Sequence, residues 1–331
     1  MKRKVCFIHR KHADTPSIER VFGILARELE KQGIEISHVR LPFGNGLFGM
    51  LANLLFFRVP EADILHITGH IHYIALKLPA DKTVLTVHDL GILRNRNGLR
   101  LAIIKRLFVD WPVGKLRHIT AISNATKLEI ITHTNCDPTK IVVINDPLDP
   151  EMKGGPKKFD AEIPVILQIG TAPHKNLERL IEAVIGMSCR LIIVGKLEDR
   201  LIEILKQNQI DYESEIADTD SKLRSIFEQS DIMAFCSTFE GFGLPIIEAQ
   251  SMGIPVITSD LEPMNDVASG GAVLVDPNDA SQIRIALEKL INDREFRDDI
   301  VAKGRENCIR FESSKIAAEY LRFYQKIFPD N

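Results

Sequence analysis

Short β-branched runs alternate with helix-patterned segments along nearly the whole chain, and the alternation is interrupted once near the middle. In the first half the strand candidates are residues 4–9, 34–40, 64–68, 83–88, 118–123 and 141–145. Helical stretches lie between them, such as 17–32, where Val21, Leu25 and Leu29 recur every four residues. Several strands are continuous apolar runs, the pattern of parallel strands buried on both faces. Right-handed strand–helix–strand crossovers put helices on both sides of such a sheet, which predicts a doubly wound α/β fold. The break, 145–160, reads NDPLDPEMKGGPKKFD, a linker by its Pro, Gly and charge content. Strand candidates then resume at 165–169, 191–194, 232–236, 256–258 and 272–275, with helices at 176–185, 199–207, 221–229, 245–252 and 280–292. A last helix, 313–327, carries Ile316, Tyr320, Phe323 and Tyr324 on one face. At 331 residues the chain is about two domains long. The expected organisation is two Rossmann-like domains, 1–150 and 151–312, facing across a cleft, with a final helix 313–331. In such sheets ligands sit beyond the C-terminal ends of the strands.

Composition narrows the classes. With 45% hydrophobic and 26% charged residues the chain can bury enough surface to offset its ordering entropy. The longest apolar stretch, 46–59, is broken by glycines and an Asn and falls short of the ~20 residues that cross a bilayer. The opening MKRKVCFIH has too short an apolar run for a secretory leader. Five scattered cysteines with no CxxC argue against a disulfide framework or a zinc ribbon, and a cytoplasmic location is expected. Residues 1–150 hold 21 Lys+Arg against 14 Asp+Glu, a charge of +7, which leaves −10 on the remainder for the net −3. Halves of opposite sign suit different partners. Nucleic acid is disfavoured, because aromatics are only 6% and no aromatic-interleaved basic stripe occurs.

Several familiar sites are absent. The turn after the first strand reads HRKHADTPSIER, with no glycine for a dinucleotide fingerprint. Gly114-Lys115 and Gly195-Lys196 are each followed by Leu, so neither is a P-loop, and no HExxH or GxSxG occurs. The ligand must be held another way.

The segment from Ser237 to Ala249, STFEGFGLPIIEA, follows a strand and enters a helix. Gly241 and Gly243 permit a sharp turn and close ligand approach. Pro245 suits a first helical turn. The N–H groups and dipole of a helix N-terminus favour an anion such as a diphosphate. Glu240 before the turn and Glu248 one turn into the helix can accept hydrogen bonds from vicinal sugar hydroxyls. Amides for phosphate beside carboxylates for hydroxyls suit a sugar nucleotide.

EGFGLPIIEAQSMGIPVITSD, beginning at Glu240, resembles the Glu-x7-Glu motif of the retaining group 1 glycosyltransferases, whose fold is the two-domain GT-B fold. The resemblance extends to Glu19-Arg20, to ADILHITG from Ala62 with TVHD from Thr86, and to AISNATK from Ala121. It also covers Ile169-Gly170-Thr171 with Lys175-Asn176-Leu177, and Val275-Asp276-Pro277. It implies a metal-independent transferase that moves a hexosyl group from a UDP-, GDP- or ADP-sugar to a glycan or lipid-linked acceptor, without further cofactor, in cell-surface polysaccharide or glycolipid assembly. By the same resemblance the last helix crosses back onto the first, acceptor-side domain, and the second domain holds the donor.

Residue by residue, the resemblance implies that Glu240 contacts donor-sugar hydroxyls, Glu248 holds the ribose diol, and the amides of Phe242, Gly243 and Leu244 meet the phosphates, with Gly241 also in the nucleotide-sugar-binding turn. Gly170, Thr171, His174 and Lys175 form the phosphate loop, with Lys175 stabilising the departing diphosphate. His88 touches the donor sugar or acceptor, and Asp89 orients that loop. Two departures stand out. Thr171 and His174 occupy a loop where an Arg is common, and Ala13-Asp14-Thr15-Pro16-Ser17 replaces a glycine-rich turn. A sugar-nucleotide 2-epimerase and a non-catalytic sugar-nucleotide binder are the alternative functions.

Within 94–117, Arg94, Arg96, Arg100, Lys105, Arg106, Lys115 and Arg117 stand against Asp110 alone, interleaved with apolar residues. Such a segment can rest on an anionic membrane, and the apolar 47–57 can seat a lipid-linked acceptor.

Overall fold

The apolar runs form parallel strands throughout the computed structural model, which describes residues 3–11, 17–44, 46–94, 97–155 and 158–328. The chain divides into two compact units, Met1–Pro147 with Glu312–Asn331, and Leu148–Phe311.

The first unit holds β1 (Lys4–His9), β2 (Glu35–Arg40), β3 (Ile64–Ile67), β4 (Thr83–Val87), β5 (His118–Ala121) and β6 (Ile141–Val143). They pair in the order β2-β1-β3-β4-β5-β6, all parallel. Every residue of β3 and β4 is buried, whereas no residue of the edge strand β2 is. The winding reverses between β1 and β3, so a crevice opens at their C-terminal ends. Helix Ser313–Ile327 packs on helix Ser17–Lys31 within this unit. Its Tyr324 hydroxyl lies 2.6 Å from His66 Nδ1, and His66 Nε2 lies 2.6 Å from Thr86 Oγ1. Burial pushes the His66 imidazole down to about 3, so this core histidine is neutral, donating from one ring nitrogen to one hydroxyl and accepting from the other hydroxyl at the second.

The second unit holds β7 (Val165–Ile169), β8 (Arg190–Val194), β9 (Asp211–Glu215), β10 (Ile232–Phe235), β11 (Val256–Ser259) and β12 (Val273–Val275). Their order is β12-β11-β10-β7-β8-β9, again all parallel, with the reversal between β7 and β10. β9 reads DYESE and was not expected as a strand. It is an edge strand paired with β8, so its side chains remain wet and no apolar run marks it. Helix Arg294–Asn307 was also unexpected. It buries Arg297, Ile300, Gly304 and Asn307, too few apolar residues for a periodic signature. The segment that composition marks as a linker is packed rather than loose. Leu148 and Met152 are buried, Gly154 N donates to Ser251 O at 3.2 Å, and Ser251 Oγ donates to the Met152 carbonyl.

Candidate functional site

In the second unit the reversal places two loops side by side at the ends of β7 and β10. The chain leaves β7 through Gly170, turns through Pro173–Lys175, and enters helix Leu177–Val184 after Asn176. Asn176 sits in the left-handed region at φ 60°, and its amide donates to Cys236 O at 2.9 Å and Pro277 O at 2.6 Å. The buried Gln168 amide donates to Gly170 O at 3.2 Å and Lys175 O at 3.0 Å. Thr238 N donates to His174 O at 2.8 Å, and Thr171 Oγ1 to Lys196 O at 2.8 Å. Main-chain acceptors at Gly170, His174 and Lys175 and the side chains of Thr171 and Asn176 thus clamp the loop between the two strand ends.

Lys175 runs back along Gly170. At φ +91° a Cβ on Gly170 would lie 2.8 Å from Lys175 Cγ, so a bare backbone is what lets the arm lie there. The ammonium sits 4.8 Å from the Phe235 ring centroid and donates to Glu240 Oε1 at 2.6 Å. Lys175 and Glu240 are only 19% and 13% exposed, so the pair is held in partly dehydrated surroundings, where Coulomb interactions are stronger than in bulk water.

Beyond Glu240 the chain turns through Gly241 and Phe242 to Gly243, whose φ of +110° opens helix Leu244–Met252. Ile246 N is taken by Gly243 O at 2.9 Å. The amides of Phe242, Gly243 and Leu244 stand at this N-terminal end, with the dipole behind them. The Phe242 side chain is buried edge-on against Phe311 at 5.5 Å, so this residue offers a ligand its main chain only. Glu248 lies one turn in and is 2% exposed. The structure thus assembles a cation, a carboxylate partner and a helix N-terminus on the two loops of the reversal point. That set can hold a diphosphate and, through the carboxylates, sugar hydroxyls.

His88 belongs to the first unit, just past the end of β4. Its Nε2 donates to Thr68 O at 2.8 Å, which leaves the lone pair on Nδ1. Burial, reinforced by the nearby His70, pushes its imidazole down to about 4. It is a neutral hydrogen-bonding group at physiological pH. Asp89 Oδ1 accepts from Gly91 N at 2.7 Å and shapes the following turn. Among the described residues no group of three His, Cys, Asp or Glu converges as a metal site. Residues 13–16 and Arg96 lie outside the described residues.

Sequence reasoning singled out Lys175 and Glu240 but did not anticipate that they pair. It passed over Gln168 as strand filler, and over Phe235, whose ring under Lys175 depends on a contact between elements. Asn176 carried a readable signal, since Asn before a helix often takes left-handed backbone.

Residues 155–307 match the family described as Glycosyl transferases group 1, and residues 37–152 match Glycosyltransferase Family 4. The O-antigen chain mannosyltransferase RfbU of Salmonella typhimurium is 26% identical over 62% of this chain and 60% of its own. The capsular polysaccharide biosynthesis glycosyltransferase CapM of Staphylococcus aureus is 25% identical over 99% of this chain and 93% of its own. The chain spans 60%, 45% and 34% of the length of three of the curated relatives it matches. Anabaena HepE, solved with UDP and glucose, superposes with a TM-score of 0.78 at 16% identity, over 98% of this chain and all of its own. Sucrose-phosphate synthase from Thermosynechococcus elongatus gives 0.80 at 15% identity, over 99% of each chain. These likenesses show the GT-B fold expected from the motif.

Proposed function

The chain belongs to the group 1 glycosyltransferases, and on that premise we propose that it moves a sugar from a nucleotide-diphosphate sugar to an acceptor hydroxyl with retention of anomeric configuration. The observation that carries this reading is the Lys175–Glu240 pair beside the N-terminus of helix Leu244–Met252. The diphosphate is held by the amides of Phe242, Gly243 and Leu244 and by Lys175. On its arrival Glu240 exchanges the ammonium for donor-sugar hydroxyls, while Glu248 takes the ribose diol. The acceptor oxygen bonds to the anomeric carbon on the face that the diphosphate leaves. The bond to the phosphate oxygen breaks, and the acceptor proton passes to that oxygen. Lys175 stabilises the charge that develops on the leaving group. His88, neutral and with its Nδ1 lone pair available, is assigned to a sugar hydroxyl.

Because Lys175 and the helix amides cover the leaving-group charge, turnover is expected to survive chelation: excess EDTA should leave the initial rate unchanged. A loss of activity restored by Mg²⁺ or Mn²⁺ would overturn metal independence. The named roles of RfbU, an O-antigen chain mannosyltransferase, and CapM, of capsular polysaccharide biosynthesis, support a polysaccharide acceptor. Several relatives are mannosyltransferases, while HepE has been solved with UDP-glucose, so the donor is the open choice. The test is transfer from UDP-, GDP- and ADP-sugars with the product anomer read by NMR. One donor should give product with its own anomeric configuration. An inverted product, or release of an epimerised free sugar nucleotide, would refute the assignment.

A further inference from the structure

Helix Leu47–Phe56 is built inside out. It carries no charged residue, and Asn53 is its only polar side chain apart from glycine. A surface helix normally turns such a residue to water. Here Asn53 is fully buried, with every polar group used: Oδ1 accepts from Phe43 N at 3.1 Å, and Nδ2 donates to Phe43 O at 3.0 Å and to Tyr73 Oη at 2.9 Å. These three bonds fix the rotation of the helix and hold Leu47, Phe48, Leu51, Leu55 and Phe56 outward, with Phe48 92% exposed. The Lys77 ammonium caps the helix by donating to Leu54 O and Leu55 O, both at 2.7 Å.

A second apolar surface adjoins it. The turn His72–Leu76 packs against helix Leu47–Phe56 on one side and helix Trp111–Lys115 on the other, and Lys115 Nζ donates to Leu76 O at 2.8 Å. Helix Gly98–Lys105 joins this surface through the turn Arg106–Asp110, which packs on it, on His72–Leu76 and on helix Trp111–Lys115, and Leu99, Ile103 and Trp111 are exposed along these elements. Arg100, Arg106 and Lys115 of these elements, and Arg58 just past helix Leu47–Phe56, are exposed as well, while Asp110 is engaged by Lys105 at 2.6 Å.

We propose that this face is a lipid-docking surface, with helix Leu47–Phe56 inserted as a wedge among the acyl chains of an anionic bilayer and the cations on its headgroups. An apolar surface of this kind needs a cover. Among the described residues no helix is long and apolar enough to cross a membrane, so the helix lies in the interface. A second copy of the chain is the poorer occupant. A two-fold contact sets a patch against itself and brings the same basic rim together, whereas anionic headgroups neutralise it.

The test uses the whole protein without donor or acceptor, so its outcome is independent of the transfer reading. Trp111 is the only tryptophan and stands on this face. Vesicles of phosphatidylcholine with phosphatidylglycerol should blue-shift its emission, and brominated acyl chains should quench it. The exposed pair Phe48→Ser with Leu51→Ser should weaken binding by at least about 10-fold with an unchanged melting temperature. Arg100→Glu with Arg106→Glu should weaken it by about 5-fold per cation removed, as should added salt. The proposal is overturned by no binding, by equal binding to phosphatidylcholine alone, or by full binding of the serine pair. A dimer that the serine pair dissolves would also overturn it, assigning the face to a second copy.

Discussion

Lys175→Met should lower the transfer rate by about 10²–10³-fold, the usual effect of removing one preorganised group that faces developing charge. Methionine keeps the arm that lies along Gly170 and over Phe235 and removes only the charge. A folded enzyme with a strongly reduced kcat is therefore the expected result. Glu240→Ala should show a loss of similar size with nucleoside diphosphate still bound, because Glu240 is assigned to the sugar and not to the phosphates. Since the two side chains meet at 2.6 Å, the double variant should lose less than the product of the two single effects. Multiplicative losses would mean that the pair does not act as a unit, and unchanged turnover in Glu240→Ala would remove it from the site. Gly170→Ala offers a milder probe. Its methyl must displace the Lys175 arm, so a reduced rate with the charge intact is expected.

Acid should unfold the first unit steeply. Burial pushes the imidazoles of His9, His72 and His88 down to about 4 and that of His66 to about 3, against 6.5 in an unfolded chain. Below pH 6.5 the unfolded chain takes up protons at these four positions that the folded state refuses. Stability is therefore full above 6.5 and lost as pH falls. Asp146 works in the opposite direction. Burial raises its carboxyl from 3.8 to about 7, so the folded state holds one extra proton between those values. The net difference near pH 5 is about three protons, a slope of about 4 kcal/mol per pH unit. That is comparable within two units to the whole stability of an ordinary domain, about 5–15 kcal/mol. Trp111 reports on this unit alone, so urea midpoints followed by its fluorescence at pH 7.5, 6 and 5 measure the effect. A midpoint that does not change with pH would contradict it. Removing one of the four titrating groups by His66→Gln should reduce the slope.

What the sequence made legible follows from where each signal is written. The interior strands were readable because burial on both faces demands unbroken apolar runs, as in ILHI of β3 and IMAF of β10. β9 was hidden because an edge strand needs only its backbone, so DYESE can be entirely polar. Glu240 and Glu248 were legible through their spacing about a glycine turn. The clamp on the Lys175 loop was not, because the Gln168 and Asn176 bonds join segments up to 101 residues apart. Helix Leu47–Phe56 was read as apolar, but its outward orientation depends on one buried amide and its partners at Phe43 and Tyr73. Sequence periodicity reports which face of a helix is apolar and is silent on whether that face points in or out.

Calorimetric titration of the intact protein with UDP, GDP and ADP, repeated on Lys175→Met, tests the donor site most directly. One of the three diphosphates should bind the native chain, and loss of a charge-assisted contact should weaken it by about 10- to 100-fold in the variant. If none of the three binds, or if the bound one is held equally well without the ammonium, the loops at the ends of β7 and β10 are not a nucleotide-sugar site.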